Sequence, residues 1–146
     1  MIKNLFRKGE SGKEESVTLE ESGGMKGTIL VVDDSPTEVH IFKKILEKQG
    51  YNIIVAKDGQ EGIEIAIRVH PDLILMDVVM PVLNGFQATR KLKNNEVTAD
   101  IPVLMVTTKD QQTDINWGMR QGANEYMVKP VAPAELVHKI KALLND

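Results

Sequence analysis

The chain has 146 residues, 42% of them hydrophobic, which is enough for one compact core and short for two independent ones. Its 18 basic and 21 acidic residues leave a net charge of -3, without the cationic footprint that nucleic-acid or membrane-surface binding draws on, so neither is expected as a partner. There is no cysteine, which excludes a disulfide framework, a zinc-thiolate site and a cysteine nucleophile; no apolar run approaches the roughly 18 residues of a membrane span, so a cytoplasmic protein without membrane insertion is expected.

Taken from the N-terminus, residues 1–26 read as a flexible tail. The opening Met1-Ile2-Lys3-Asn4-Leu5-Phe6-Arg7-Lys8 is followed by a stretch rich in Gly, Ser and Glu that ends at Gly23-Gly24. Ile2, Leu5 and Phe6 are spaced for a short amphipathic docking turn, although the composition favours a plain solvated segment. Residues 27–146 are expected to form the folded domain.

From Thr28 onward, short apolar runs rich in β-branched residues alternate with amphipathic stretches of helical spacing, the pattern of a parallel sheet with helices. Five strands are predicted: Ile29-Leu30-Val31-Val32, Ile53-Ile54-Val55, Leu73-Ile74-Leu75-Met76, Val103-Leu104-Met105-Val106 and Tyr126-Met127-Val128. A helix is predicted after each. Ser35-Pro36 starts the first, whose apolar face is Val39, Ile41, Phe42, Ile45 and Leu46; Gly50 stops it. Ile63, Ile65, Ala66, Ile67 and Val69 form the face of the second, closed by His70-Pro71; Gly122 is a further helix stop, and Pro133 opens the last helix. Met76, Met80, Met105, Met119 and Met127 are expected to fill the core. Five such units are too few for a barrel and fit an α/β, single-domain, open doubly wound five-stranded parallel sheet, whose functional crevice lies beyond the carboxyl ends of the strands.

That edge carries the chemistry. Asp33 and Asp34 end the first strand, Asp77 the third, Thr107 and Thr108 the fourth, and Lys129 the fifth. Each acid alone reads as an ordinary loop residue, but three carboxylates converging at buried strand ends require pairing or a cation. A hard, oxygen-seeking ion suits them; Mg²⁺ typically uses one or two carboxylates together with phosphate oxygens and water. With Lys129 and a threonine hydroxyl beside it, Asp77 is the expected nucleophile toward phosphorus, while the adjacent Asp33 and Asp34 hold the ion.

The motifs Val31-Val32-Asp33-Asp34-Ser35-Pro36, Leu75-Met76-Asp77-Val78-Val79-Met80-Pro81, Asn84-Gly85, Val106-Thr107 and Lys129-Pro130 stand in the order and spacing of a known family. From about Thr28 to Asn145 the chain resembles the CheY-like receiver domain of bacterial two-component response regulators. The resemblance implies the flavodoxin-like (βα)5 fold with strand order 2-1-3-4-5. It also implies Asp77 as phosphoacceptor, Asp33, Asp34, Asp77 and the Val79 backbone carbonyl as Mg²⁺ ligands, Thr107 as the switch hydroxyl, Lys129 as the phosphate-contacting lysine and Tyr126 as the aromatic switch residue. Val79 and Lys109, two residues beyond Asp77 and Thr107, are the positions that in this family influence access of water to the acyl phosphate. A closer likeness lies outside the pocket. Asn84-Gly85-Phe86-Gln87-Ala88-Thr89-Arg90, Val106-Thr107-Thr108-Lys109-Asp110-Gln111 and Trp117-Gly118-Met119-Arg120-Gln121-Gly122-Ala123 look like the PilH-type regulators of type IV pilus twitching motility, with chemotaxis-type single-domain regulators as near competitors. This likeness implies a chemotaxis-like sensor histidine kinase as phosphate source and a downstream protein partner, with the pilus machinery as its expected source.

The sequence therefore reads as a phosphoacceptor switch with no output module after the last helix, and not as a classical enzyme. Two other classes fit the residues less well. A magnesium-dependent phosphohydrolase that forms aspartyl phosphate needs a second acid two residues beyond its nucleophile, where Val79 stands, and a substrate-gripping cap. A phosphate-independent interaction module with a vestigial pocket is disfavoured by the complete acidic set. His40, His70 and His138 have no ligand spacing, and the lone Trp117 fits a partner face or packing against a neighbouring helix.

Overall fold

A computed structural model describes residues 26–145; the predicted N-terminal tail, apart from Lys26, lies outside the described residues. Ten elements alternate along the chain: β1 (Gly27–Val32), α1 (Pro36–Lys48), β2 (Tyr51–Ala56), α2 (Gly59–Val69), β3 (Leu73–Met76), α3 (Gly85–Lys93), β4 (Val103–Thr107), α4 (Gln112–Arg120), β5 (Glu125–Val128) and α5 (Pro133–Leu144). The strands form one parallel sheet in the order β2-β1-β3-β4-β5, as the resemblance implied.

The sheet is covered on both faces, which is why its inner strands read as continuous apolar runs and not as alternating ones. Leu30, Val32, Ile74, Met76, Val103 and Met105 point to one side, where Ile65, Ala66, Ala88 and Leu92 of α2 and α3 meet them. Ile29, Val31, Leu73, Leu75, Leu104 and Val106 point to the other, against Phe42 and Leu46 of α1 and Leu136 and Ile140 of α5. The two sets differ by one residue in register, so a slip by one position in β1, β3 or β4 would exchange the two cores.

Local signals set the helix ends. Ser35 caps α1 by accepting the Glu38 N–H, and Asn84 with Gln87 closes a reciprocal capping box at the start of α3. Gly50 and Gly122 follow α1 and α4 with φ of 96° and 110°, which favour glycine, and His70 itself takes the left-handed position that ends α2. Some predicted core residues are not core. Ile41 is 42% exposed, Ile67 and Val69 lie on the outer side of α2, and Met119 is exposed on α4; each helix carries more apolar residues than its buried stripe can hide. Met76, Met105 and Met127 are buried, and Met80 packs against the core.

The loop from β3 to α3 passes very close to its neighbours. Gly85 N donates to the Val78 carbonyl at 2.9 Å, and a side chain at Gly85 would run into the Asp77 carbonyl; Gly59 meets the Leu83 carbonyl in the same way. Between them Val82 has φ of 70°, rare for a β-branched residue, with Leu83 N donating to the Pro81 carbonyl at 2.8 Å across it. Because the obstacle at Gly85 is backbone, Gly85→Ala should cost about 1–3 kcal/mol of stability; urea denaturation measures this, and a change near zero would mean that the loop can retreat.

Candidate phosphoryl and metal site

Three strands, β1, β3 and β5, deliver a charged residue to the carboxyl edge through a backbone hydrogen bond made at the strand end. Asp33 N donates to the Ala56 carbonyl (3.0 Å), Asp77 N to the Val32 carbonyl (3.0 Å) and Lys129 N to the Thr107 carbonyl (2.8 Å). The residues that bear the side chains are thus tied to the neighbouring strand. Asp33, Asp77 and Thr107 are buried, while Asp34 is exposed.

Lys129 lies among the acids. Its Nζ donates to Asp33 Oδ2 at 2.8 Å and stands 3.8 Å from Asp77 Oδ2 and 3.7 Å from Glu38 Oε1. Asp33 Oδ1 accepts the Ser35 N–H at 2.9 Å, and Asp77 Oδ1 accepts the Val78 N–H at 2.8 Å. Burial raises the Asp77 pKa; Lys129 lowers it, Asp33 raises it again, and the Val78 N–H and Thr107 hydroxyl lower it, the net direction being upward. For Lys129 burial pulls the pKa down, but the Asp33 hydrogen bond together with the charges of Asp77, Asp33 and Glu38 outweighs it, so the ammonium is held charged.

Asp33, Asp34 and Asp77 can each present a carboxylate oxygen such that the three lie within 4.8 Å of one another. Opposite ligands of an octahedral ion with bonds of about 2.1 Å are roughly 4 Å apart, so a small hard cation fits this donor set with slight tightening. Val79 follows on the adjoining loop with its side chain 56% exposed. On the far side, Thr107 Oγ1 accepts the Lys109 N–H at 3.3 Å, and the Tyr126 hydroxyl donates to the Lys109 carbonyl at 2.7 Å. The Tyr126 ring lies against Gly118 of α4 and is half-buried; burial first, then Asp114, Asp110 and Asp77, push its pKa up to about 12.

Asp33, Asp34, Asp77, Thr107 and Lys129 therefore share one edge, with Val79 on the loop two residues beyond Asp77 and Tyr126 linked through the loop after Thr107. Glu38 was not foreseen, and Ser35 does more than cap a helix. His40, His70 and His138 are exposed and apart from the pocket, His70 pairing with Asp100 at 3.2 Å. Trp117 is 48% exposed, with the Arg120 guanidinium 6.0 Å from its ring centre. Among the described residues no helix is long and apolar enough to cross a membrane.

A sheet of this order with three acids, a threonine and a lysine at its carboxyl edge defines a class, and residues 29–141 match the response regulator receiver domain model; the chain belongs to that family. It is 52% identical over 116 residues to protein PilH of Pseudomonas aeruginosa, a match covering 80% of this chain and 96% of that protein. It is 39% identical to the Bacillus subtilis alkaline phosphatase synthesis transcriptional regulatory protein PhoP over 83% of this chain, but spans only half of that longer protein. Among solved structures, the Vibrio cholerae chemotaxis protein CheY4 is 30% identical with a TM-score of 0.77, covering 83% of this chain and 100% of that one. The receiver domain of a Pseudomonas aeruginosa PAO1 sensor histidine kinase, solved with a magnesium ion coordinated in its active site cleft, is 31% identical with a TM-score of 0.77 over 82% of this chain and 98% of that one.

The raised pKa of Asp77 has a consequence for stability. A carboxyl group with a higher pKa folded than unfolded favours the folded state below the unfolded value of 3.8, and that contribution is lost as pH rises through the folded pKa. Without divalent cation, Asp77→Asn should therefore raise the melting temperature at neutral pH, by an amount that shrinks toward zero as pH falls below about 4. Thermal melts of both proteins across pH check the sign; a variant less stable at neutral pH would mean that the Lys129 attraction outweighs burial.

Proposed function

We propose that the chain is a single-domain two-component response regulator in which Asp77 accepts a phosphoryl group from a histidine kinase. The observation that carries this reading is the placement of Asp77 on the middle strand of the sheet, with Asp33 and Asp34 on one side and Thr107 and Lys129 on the other. In the transfer an Asp77 oxygen bonds to phosphorus as the phosphorus–nitrogen bond of the donor histidine breaks and the imidazole leaves with the electron pair. Little else is asked of the protein than positioning and charge: Lys129 faces one phosphoryl oxygen, and the Thr107 hydroxyl donates to another. Asp33, Asp34, Asp77 and the Val79 carbonyl would hold Mg²⁺, which when bound neutralises charge on the transferring oxygens.

The signal then passes outward through protein contacts. Thr107 and Tyr126 are joined by the Thr108–Lys109 segment, since one accepts the Lys109 N–H and the other donates to the Lys109 carbonyl. A pull on Thr107 is thereby felt at Tyr126 and at Gly118 of α4, against which the ring packs. The extent of the likeness to PilH supports a place in type IV pilus or twitching control, with a chemotaxis-like kinase upstream and a protein of the pilus machinery downstream, in the cytoplasm.

The direct test is incubation with acetyl phosphate and Mg²⁺ followed by intact-mass measurement. Wild type should gain one phosphoryl group and Asp77→Asn none, because the amide is nearly isosteric but not nucleophilic; undiminished labelling of that variant would place the acceptor elsewhere. A further outcome concerns decay. The exposed Val79 side chain can neither orient nor activate water, so Val79→Asn should shorten the lifetime of phosphorylated Asp77 several-fold, with Lys109→Ala changing it less. Loss of label after donor removal measures this, and an unchanged lifetime in Val79→Asn would assign control of water to another group.

A further inference from the structure

Ser35-Pro36-Thr37-Glu38 has the S-x-x-E form of a capping box, in which the glutamate reaches back to the N–H of the capping serine. Only half of that box forms. Glu38 N donates to Ser35 Oγ at 3.3 Å, but the Ser35 N–H is taken by Asp33 Oδ1 at 2.9 Å, and Glu38 Oε1 instead lies 3.7 Å from Lys129 Nζ. At the start of α3 the equivalent reciprocal bond is made, Asn84 N donating to Gln87 Oε1 at 3.1 Å. An acid of the pocket has therefore displaced Glu38 from its local role, and the freed carboxylate has turned to the pocket's cation. With its side chain 34% exposed, Glu38 stands at the mouth, whereas the other two acids around Lys129 are buried.

We propose that Glu38 is a positioning residue that holds Lys129 on the Asp33 side of the pocket until a phosphoryl group arrives, and so sets how fast Asp77 accepts phosphate from small anionic donors. This rests on the reading of Asp77 as phosphoacceptor. Lys129 makes its short contact with Asp33, and Glu38 and Asp77 compete for it at nearly equal distances, 3.7 and 3.8 Å. A phosphoryl group on Asp77 brings oxygens of higher charge density than a carboxylate, and the lysine transfers to them at the expense of Glu38. Before that point every approaching donor meets a lysine already engaged.

The test uses the full chain with Mg²⁺ and acetyl phosphate, whose acyl oxygen–phosphorus bond breaks as the Asp77 oxygen–phosphorus bond forms and acetate leaves with the electron pair. Initial rates come from intact mass. Glu38→Gln should accept phosphate about three- to tenfold faster than wild type, the range expected for releasing Lys129 from one partly exposed ion-pair contact. Glu38→Asp keeps the charge but is one methylene too short to reach Lys129, and should share most of that gain. The Lys129 Nζ signal in NMR supplies a readout that a helix-capping role would not move: it should differ from wild type in both variants without donor and coincide once beryllofluoride occupies the site. Equal rates in all three proteins, or a slow Glu38→Asp beside a fast Glu38→Gln, overturns the inference while leaving Asp77 as acceptor. A wild type that takes no label on Asp77 overturns both.

Discussion

Two buried carboxylates, Asp33 and Asp77, brought to one edge beside the exposed Asp34 repel each other, and the fold must supply a positive charge to keep them there. Lys129 is that charge. Removing that lysine is far more damaging than the net worth of the cluster suggests, because the acids are then left together without a balancing charge. The arrangement is stable without being satisfied: burial still raises the pKa of Asp77, and the lysine is shared among three acids. The charge left unbalanced is negative, and a further cation among these carboxylates would offset it.

Such a balance requires side chains placed to within fractions of an ångström, and the placement comes from the sheet. The backbone bonds that tie Asp33, Asp77 and Lys129 to neighbouring strands hold the pocket residues to the most rigid part of the molecule, between two close-packed cores. The loops are held in turn by contacts that admit no side chain, at Gly59 and Gly85. Thr107 and Tyr126 grip the same residue, Lys109, from its N–H and its carbonyl, so the β4–α4 loop ties the carboxyl edge of the sheet to the Tyr126 ring.

Most of this was legible in the sequence because the chemistry and the fold use the same punctuation. In an open parallel sheet a strand ends where its apolar run ends, so the polar residue that follows each run is also the residue presented at the functional edge. Asp33, Asp77, Thr107 and Lys129 could be placed that way, and glycines marked helix ends at Gly50 and Gly122. What was not legible depended on competition between neighbours. The S-x-x-E motif gave no sign that Asp33 would take the Ser35 N–H and release Glu38 toward Lys129, since that outcome rests on a contact across 96 residues of sequence. Helical spacing puts Ile41, Ile67 and Val69 on apolar faces and residue type suggests core for Met119, but the width of a helix's buried stripe is decided by how closely it lies on the sheet.

The separation of Asp33 from Lys129 along the chain bears on how the protein is made. Synthesis proceeds from the N-terminus, so the acids of β1 and β3 leave the ribosome long before the lysine that balances them. A nascent chain that has reached only β4 has its carboxyl edge negative and unbalanced, and the core on the α1 side of the sheet still lacks α5. Closing the pocket therefore coincides with docking the last strand and helix. Fragments that stop short of them carry the acids without the means to hold them together, so a half-built chain cannot stand in for the finished switch in the cell.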